Sequence, residues 1–450
     1  MFGATDMAIL VAALLVLVFS GVHIAVALGL SSIIGILLLT SDIAVAKQFV
    51  GGMAYEALRD YVFAVIPLFM LMGEFLARCG AARDMYKLVS RLTSLVPARL
   101  AVATVLANAV FAFVTGVSIA AAAAFSRIAY PEMKRAGYSR QFSLGCIAGS
   151  ACLGMLIPPS VLMIVWGVLT EQSIGKLFLA GVIPGFLLVA YYILYILFVG
   201  ITNPQVVGEG KAAPSAGGTE GTLEAGDQDT GAELASTLLV VTLVIAILMG
   251  IWLGFFTPTE GAGVGASAAL LVALLKGLRA KEVMEVVVAV GRMAGPLLLL
   301  LFAAQLYSRV LAMTGVTQSV QSAILGSGLS PYAVLALMVA IWFVLGCIID
   351  SISIILLTVP VFGPIATAAG FDPLVFAMVG ILAIETGLLT PPFGLLVFTV
   401  QAALPDEKGA VPDIFRGAIP YWIGLLVVIL LVCAFPQFAT WLPGVAFSAK

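Results

Sequence analysis

Charge is what this 450-residue chain has least of. Asp, Glu, Lys and Arg together make up 10% of it, against about 25% in an average soluble domain. Its 21 basic and 23 acidic residues nearly cancel, so no electrostatic footprint for nucleic acid exists. There is one histidine, His23, and the five cysteines (Cys79, Cys146, Cys152, Cys347, Cys433) form no CxxC pair. That excludes a disulfide scaffold and argues against a zinc or haem centre. No Walker motif is present, and no nucleophile–base pair suggests an enzyme. Met1 to Asp6 lacks the basic start of a secretory signal.

What the chain has is apolar length: 62% of its residues are hydrophobic and its mean hydropathy is +1.19. This composition predicts an all-α polytopic membrane protein, because a spanning helix needs about 20 apolar residues. Ten runs qualify: 7–22, 23–40, 61–77, 139–170, 177–200, 235–254, 258–276, 284–312, 373–403 and 416–436. Two more, 100–130 and 331–363, are too long for one crossing and too short for two, and each has a polar centre. Both read as re-entrant hairpins with arms of about 15 residues, which reach about 22 Å into the bilayer.

Positive charge orients them. Arg78, Arg83, Lys87, Arg91 and Arg99 precede the first hairpin, and Arg127, Lys134, Arg135 and Arg140 end it. The positive-inside rule places both flanks in the cytoplasm. No Lys or Arg lies between Arg309 and Lys408, so the second hairpin is expected to open to the opposite face. The N-terminus is then periplasmic.

The halves also share sequence. At an offset of 233, Ser118-Ile119 matches Ser351-Ile352, Pro131 matches Pro364, and Gly154, Leu156 and Pro158-Pro159 match Gly387, Leu389 and Pro391-Pro392. Opposite hairpins and a shared pattern predict an inverted-topology repeat, an architecture of secondary transporters. Residues 1–200 form the first repeat, with hairpin 100–130 and broken helix 139–170. Residues 235–450 form the second, with hairpin 331–363 and broken helix 373–403. Residues 201–234, rich in Gly, Pro and acid (Glu209, Glu220, Glu224, Asp227, Asp229, Glu233), read as a solvated linker.

Each double proline should unwind its helix at mid-membrane, because proline removes an N–H and clashes with the carbonyl one turn back. Freed carbonyls and nearby hydroxyls are hard-oxygen ligands suited to Na⁺. The first Na⁺ site is expected at Thr115, Gly116, Ser118, Gly154 and Ile157. The second is expected at Asp350, Ser351, Ser353, Gly387 and Thr390. Substrate contact is assigned to Ser160, Pro158, Pro159, Pro391 and Pro392, where half-helix N–H groups favour a carboxylate. Glu385, just before the second break, is a weaker candidate. Thr257-Pro258-Thr259-Glu260 reads as a capped helix start, and Glu74 with Arg78 as an i,i+4 pair.

Several segments together resemble the large membrane subunit of tripartite ATP-independent periplasmic (TRAP) transporters, the DctM-like family. They are Ile66-Pro67-Leu68-Phe69-Met70-Leu71-Met72-Gly73-Glu74, Pro131-Glu132-Met133-Lys134-Arg135-Ala136-Gly137-Tyr138, Ile157-Pro158-Pro159-Ser160, Phe256-Thr257-Pro258-Thr259-Glu260 and Leu389-Thr390-Pro391-Pro392-Phe393-Gly394. The resemblance runs along nearly the whole chain. It implies an elevator-type, Na⁺-coupled importer of organic anions in the bacterial inner membrane. It also implies two partners: a separate small four-helix membrane subunit (DctQ-like) and a periplasmic solute-binding protein (DctP-like). The first tip departs from the family: Gly116-Val117-Ser118 is followed by Ile119 and five alanines, which shifts ligation there towards backbone carbonyls. The competing reading is a self-sufficient Na⁺/dicarboxylate carrier of the related ion-transporter superfamily.

Overall fold

The fold is that of a computed structural model, which describes residues 4–208 and 230–447. The described residues are helical almost throughout. The first half runs α1 (Ala4–Phe19), α2 (Ile24–Thr40), α3 (Ile43–Arg59), α4 (Val65–Arg78), α5 (Ala81–Leu92), α6 (Arg99–Thr115), α7 (Ser118–Arg135), α8 (Arg140–Ala151), α9 (Leu153–Leu156), α10 (Val161–Thr170) and α11 (Ile174–Thr202). The second runs α12 (Thr230–Trp252), α13 (Pro258–Leu275), α14 (Ala280–Thr314), α15 (Val316–Leu325), α16 (Pro331–Gly346), α17 (Ser351–Ala368), α18 (Pro373–Gly387), α19 (Leu395–Ala403), α20 (Val411–Ala434) and α21 (Gln437–Phe447).

The 233-residue offset is visible element by element: α6–α7 and α16–α17 are hairpins, α8–α10 and α18–α19 are interrupted helices, and α11 corresponds to α20. The packing reciprocates as well. Helix α4 lies on α13 while α2 lies on α14, and α10 lies on α17 while α19 lies on α7. Reciprocal contact between equivalent surfaces is what a two-fold relation between the halves requires.

Local chemistry sets the helix ends. Thr257 accepts from the Glu260 amide while Glu260 accepts from the Thr257 amide, with Pro258 opening α13, so the expected cap is present. Ser139 caps α8, Ser330 caps α16 and Asp372 caps α18. His23 caps α2, its Nδ1 accepting from the Ala25 amide at 3.3 Å. Glu74 and Arg78 pair at 3.2 Å.

About ten spans were expected; among the described residues, eight helices are long and apolar enough to cross a membrane, and seven of them match expected runs. The runs at 7–22 and 23–40 fold as helices of 16 and 17 residues, and 373–403 is interrupted after Gly387. The eighth long helix is the second hairpin arm, Ser351–Ala368. Hairpin arms of 16 to 18 residues exceed the 15 expected, reaching about 25 Å. Helices α3, α5, α15 and α21 lie outside every expected run. In α3 and α5, Lys47, Gln48 and Glu56, and Arg83, Asp84, Lys87 and Arg91, interrupt the apolar signal.

Both ends of the 201–234 stretch join the flanking helices. Helix α11 ends at Thr202, and the Ser139 amide donates to the Val206 carbonyl at 2.8 Å, which ties the strip after α11 to the start of α8. Helix α12 begins at Thr230 and takes in Glu233. The acidic run 209–229 lies outside the described residues.

Ion pairs fasten the base of hairpin α6–α7 to the turn before α20. Lys134 binds Glu407, and Arg140 reaches Glu407 at 3.3 Å and Asp413 at 3.7 Å. The Lys134 hydrogen bond holds the Glu407 carboxyl below its usual range.

Glycine lets α8 and α20 cross backbone to backbone. A Cβ on Gly145 would overlap the Gly417 backbone, and one on Gly149 would overlap the Tyr421 ring. Small residues allow this kind of close approach between apolar helices. Gly145→Ala and Gly417→Ala should each cost about 1–3 kcal/mol. Their double variant should cost less than the sum, because one separation relieves both clashes. Thermal unfolding of the purified chain in detergent checks this; strict additivity would contradict the contact.

Candidate functional site

Hairpin α6–α7 turns at Gly116, whose φ of +61° is left-handed and suits glycine. The turn lies directly on the first break. The Gly116 carbonyl accepts from the Val161 amide at 3.2 Å, and a Cβ on Gly116 would overlap the Pro159 carbonyl oxygen. From the other side, a Cβ on Gly154 would stand 3.0 Å from the Ser118 amide nitrogen. Ile157 closes α9 through its amide on the Leu153 carbonyl at 2.9 Å. Ser160 caps α10, accepting from the Met163 amide at 3.4 Å and donating to the Met155 carbonyl. Pro158, Pro159 and Ser160 are all buried.

Hairpin α16–α17 meets the second break in the same manner. A Cβ on Gly346 would stand 2.8 Å from both the Gly387 Cα and the Ile384 carbonyl oxygen. Cys347 Sγ lies 3.0 Å from Thr390 Oγ1, and Thr390 donates to the Gly387 carbonyl at 2.9 Å. Here the double proline differs: Pro391, Pro392 and Phe393 are exposed. Both Pro–Pro bonds are cis.

The two tips converge on one side chain. Glu385, 1% exposed, accepts from Ser118 Oγ at 2.7 Å and from Ser351 Oγ at 3.2 Å. Ser118 and Ser351 are equivalent residues of the two halves, each the first residue of its hairpin's second arm. The half-one counterpart of Glu385 is Cys152, whose thiol points at the Glu385 carbonyl at 3.9 Å.

The structure therefore gathers Gly116, Ser118 and Gly154 with Pro159, and Ser351, Gly387 and Thr390 with Cys347. It does not gather every expected ligand. Asp350 is exposed and caps α17, accepting from the Ser353 amide at 3.0 Å. It lines a cleft of about 470 Å³ with His23, Pro296 and Leu300. Ser353 is buried on the same helix. Thr115 donates to the Phe111 carbonyl at 3.2 Å within its own helix.

Glu385 is the residue the sequence left outside the ion sites. Its signal was an acid two residues before the repeated glycine, in a segment with no other charge. Nothing in the spacing of Cys152 and Cys347 points to the site. The oxygens that meet here, on a carboxylate, serine and threonine hydroxyls and backbone carbonyls, are hard ligands that could hold Na⁺ better than a soft metal, with the Cys152 and Cys347 thiols beside them.

A helical membrane protein whose two half-chains each press a hairpin tip onto a broken helix has the build of a secondary transporter. The chain belongs to the tripartite ATP-independent periplasmic transporter family, DctM component, whose family model matches residues 11–438. It is 33% identical to the C4-dicarboxylate TRAP transporter large permease protein DctM of Pseudomonas aeruginosa, over 93% of each chain. It is 27% identical to the ectoine TRAP transporter large permease protein TeaC of Halomonas elongata, over 98% of this chain and 99% of that one. The sialic acid TRAP transporter large permease protein SiaM of Vibrio cholerae is also 27% identical, over 88% of each chain. Among solved structures, the YdaH transporter of Alcanivorax borkumensis shares the fold, with a TM-score of 0.59 at 15% identity over 89% of this chain and 88% of that one.

Gly116→Ala puts a methyl group into the Pro159 carbonyl and should cost about 1–3 kcal/mol. Gly80 has a similar φ of +83° with nothing within 4 Å of its Cβ position, so Gly80→Ala reports backbone strain alone. Hydrogen exchange should show faster exchange at the Val161 amide for Gly116→Ala only. Equal behaviour of the two variants would deny the close approach.

Proposed function

We propose that the chain is the transmembrane permease subunit for Na⁺-coupled, secondary-active import of an organic anion. The observation that carries this reading is the convergence of the two hairpin tips, each lying on a broken helix of its own half. Such breaks free backbone groups that ions and a carboxylate can use. One Na⁺ binds in each half: at the carbonyls around Thr115, Gly116, Gly154 and Ile157 with Ser118, and around Ser351, Gly387 and Thr390. Asp350 and Ser353 join the second site only if the hairpin turns them inward. The substrate lies between the two sites, near Ser160 and the Pro158-Pro159 and Pro391-Pro392 breaks, where half-helix N–H groups face its carboxylate.

The carboxylate class is supported by relatives named for C4-dicarboxylates and sialic acid. The chain sits in the bacterial inner membrane with a periplasmic N-terminus. Hairpin α6–α7 opens to the cytoplasm and α16–α17 to the periplasm, and the hairpins move as an elevator against α1–α4 and α12–α14. A small membrane subunit holds the static part, and a periplasmic binding protein delivers the substrate.

Reconstituted uptake of a C4-dicarboxylate panel and sialic acid, with and without the binding protein, tests the scheme. Uptake should stop when Na⁺ is replaced by K⁺ and should need no ATP. An undiminished rate without Na⁺ refutes the coupling. Full uptake without a binding protein favours the self-sufficient carrier. Thr390→Ala and Ser351→Ala each remove an oxygen ligand, so the Na⁺ concentration for half-maximal uptake should rise roughly two- to tenfold.

Orientation is checked separately. In a Cys-less background, a cysteine at 134 should label from the cytoplasm and one at 372 from the periplasm. Labelling from the same side would reject the inverted repeat.

A further inference from the structure

Two repeat-equivalent residues that touch each other must lie at the axis relating their halves. Cys152 and Glu385 are such a pair, 233 residues apart and in contact through the Cys152 thiol and the Glu385 carbonyl. Ser118 and Ser351 are equivalent too, and each reaches the Glu385 carboxylate. The axis therefore passes beside this carboxylate. The charge on it is unique, because the first half offers a thiol where the second offers an acid.

Around Glu385 nothing cancels that charge. Its hydrogen-bond partners are neutral hydroxyls, and the other ionisable groups beside it are Cys152 and Tyr192. Among the described residues no lysine, arginine or histidine is paired with it. A carboxyl group held this way either keeps a proton or, once ionised, needs a cation beside it. The oxygens on hand for such a cation are hard ones, the two of the Glu385 carboxylate and the hydroxyls of Ser118 and Ser351, with the Cys152 thiol alongside.

We propose that Glu385 is the charged ligand of one further monovalent-cation site on the axis, which borrows Ser118 from the first tip-and-break site and Ser351 from the second. A Na⁺ there draws both tips onto one point. The two hairpins are thereby coupled through a single ion, which two independent half-sites do not provide. The inference rests on the Na⁺-coupled reading above.

The test needs no substrate. The purified full chain in lipid nanodiscs is melted in NaCl, KCl or choline chloride at constant ionic strength. Wild type should be stabilised by Na⁺ and not by choline. Glu385→Gln keeps the shape and removes the charge. It should melt as high as wild type or higher in choline, because an uncompensated charge is gone, and should require at least tenfold more Na⁺ for half of the stabilisation. A purely structural Glu385 predicts the reverse: a lower melting temperature in choline with the Na⁺ response intact, which would overturn the proposal.

A double-variant cycle of Ser118→Ala and Ser351→Ala keeps the question open to refutation if Glu385→Gln folds poorly. A shared ion makes their effects on the Na⁺ midpoint interdependent by severalfold. Independent effects would overturn the shared site. Wild type that ignores Na⁺ altogether removes both this proposal and the Na⁺ coupling. Equal Na⁺ responses in wild type and Glu385→Gln remove this proposal alone.

Discussion

A helix broken inside an apolar bundle must find partners for the backbone groups it releases, and the rest of this structure follows from that requirement. At the first break the Val161 amide is satisfied by the Gly116 carbonyl, which belongs to the turn of a separate hairpin. The hairpin can come that close only because Gly116, Gly154, Gly346 and Gly387 carry no side chain. Broken helix and hairpin thus form one unit. The serines that open α7 and α17 are held where both meet Glu385.

The halves are related but not identical, and their differences fall at the site. The first double proline is buried beneath a hairpin turn, whereas the second, with Phe393, is exposed. One half places a thiol near the axis and the other a carboxylate. The long helix α14 runs through 35 residues, while its counterpart is divided into α3 and α4 around Asp60.

The periphery is held differently. Lys134, Arg140, Glu407 and Asp413 form a charged clasp between hairpin α6–α7 and the turn before α20. Exposed ion pairs contribute little to stability on their own. Here they join elements 273 residues apart in sequence and hold the hairpin base to the helix that α8 crosses.

Much of this was legible in the chain itself. Apolar runs, paired prolines and a 233-residue echo pointed to a helical membrane protein with a repeated pattern; in the fold the helices turn at Gly116 and before Ser351 and break after Leu156 and Gly387. These signals are local: run length, missing N–H groups and small residues act on the backbone wherever they occur. The amphipathic helices α3 and α5 escaped because their charges hide them from a search for apolar length, and α15 because its Thr, Gln and Ser residues do the same. The centre of the site escaped for another reason. Glu385 matters through Ser118, 267 residues away, and through Ser351, and Asp350 turned out to cap its own helix. Which polar groups meet across an axis depends on how two half-chains pack. The sequence carries the groups, and only the tertiary fold brings them within hydrogen-bond reach.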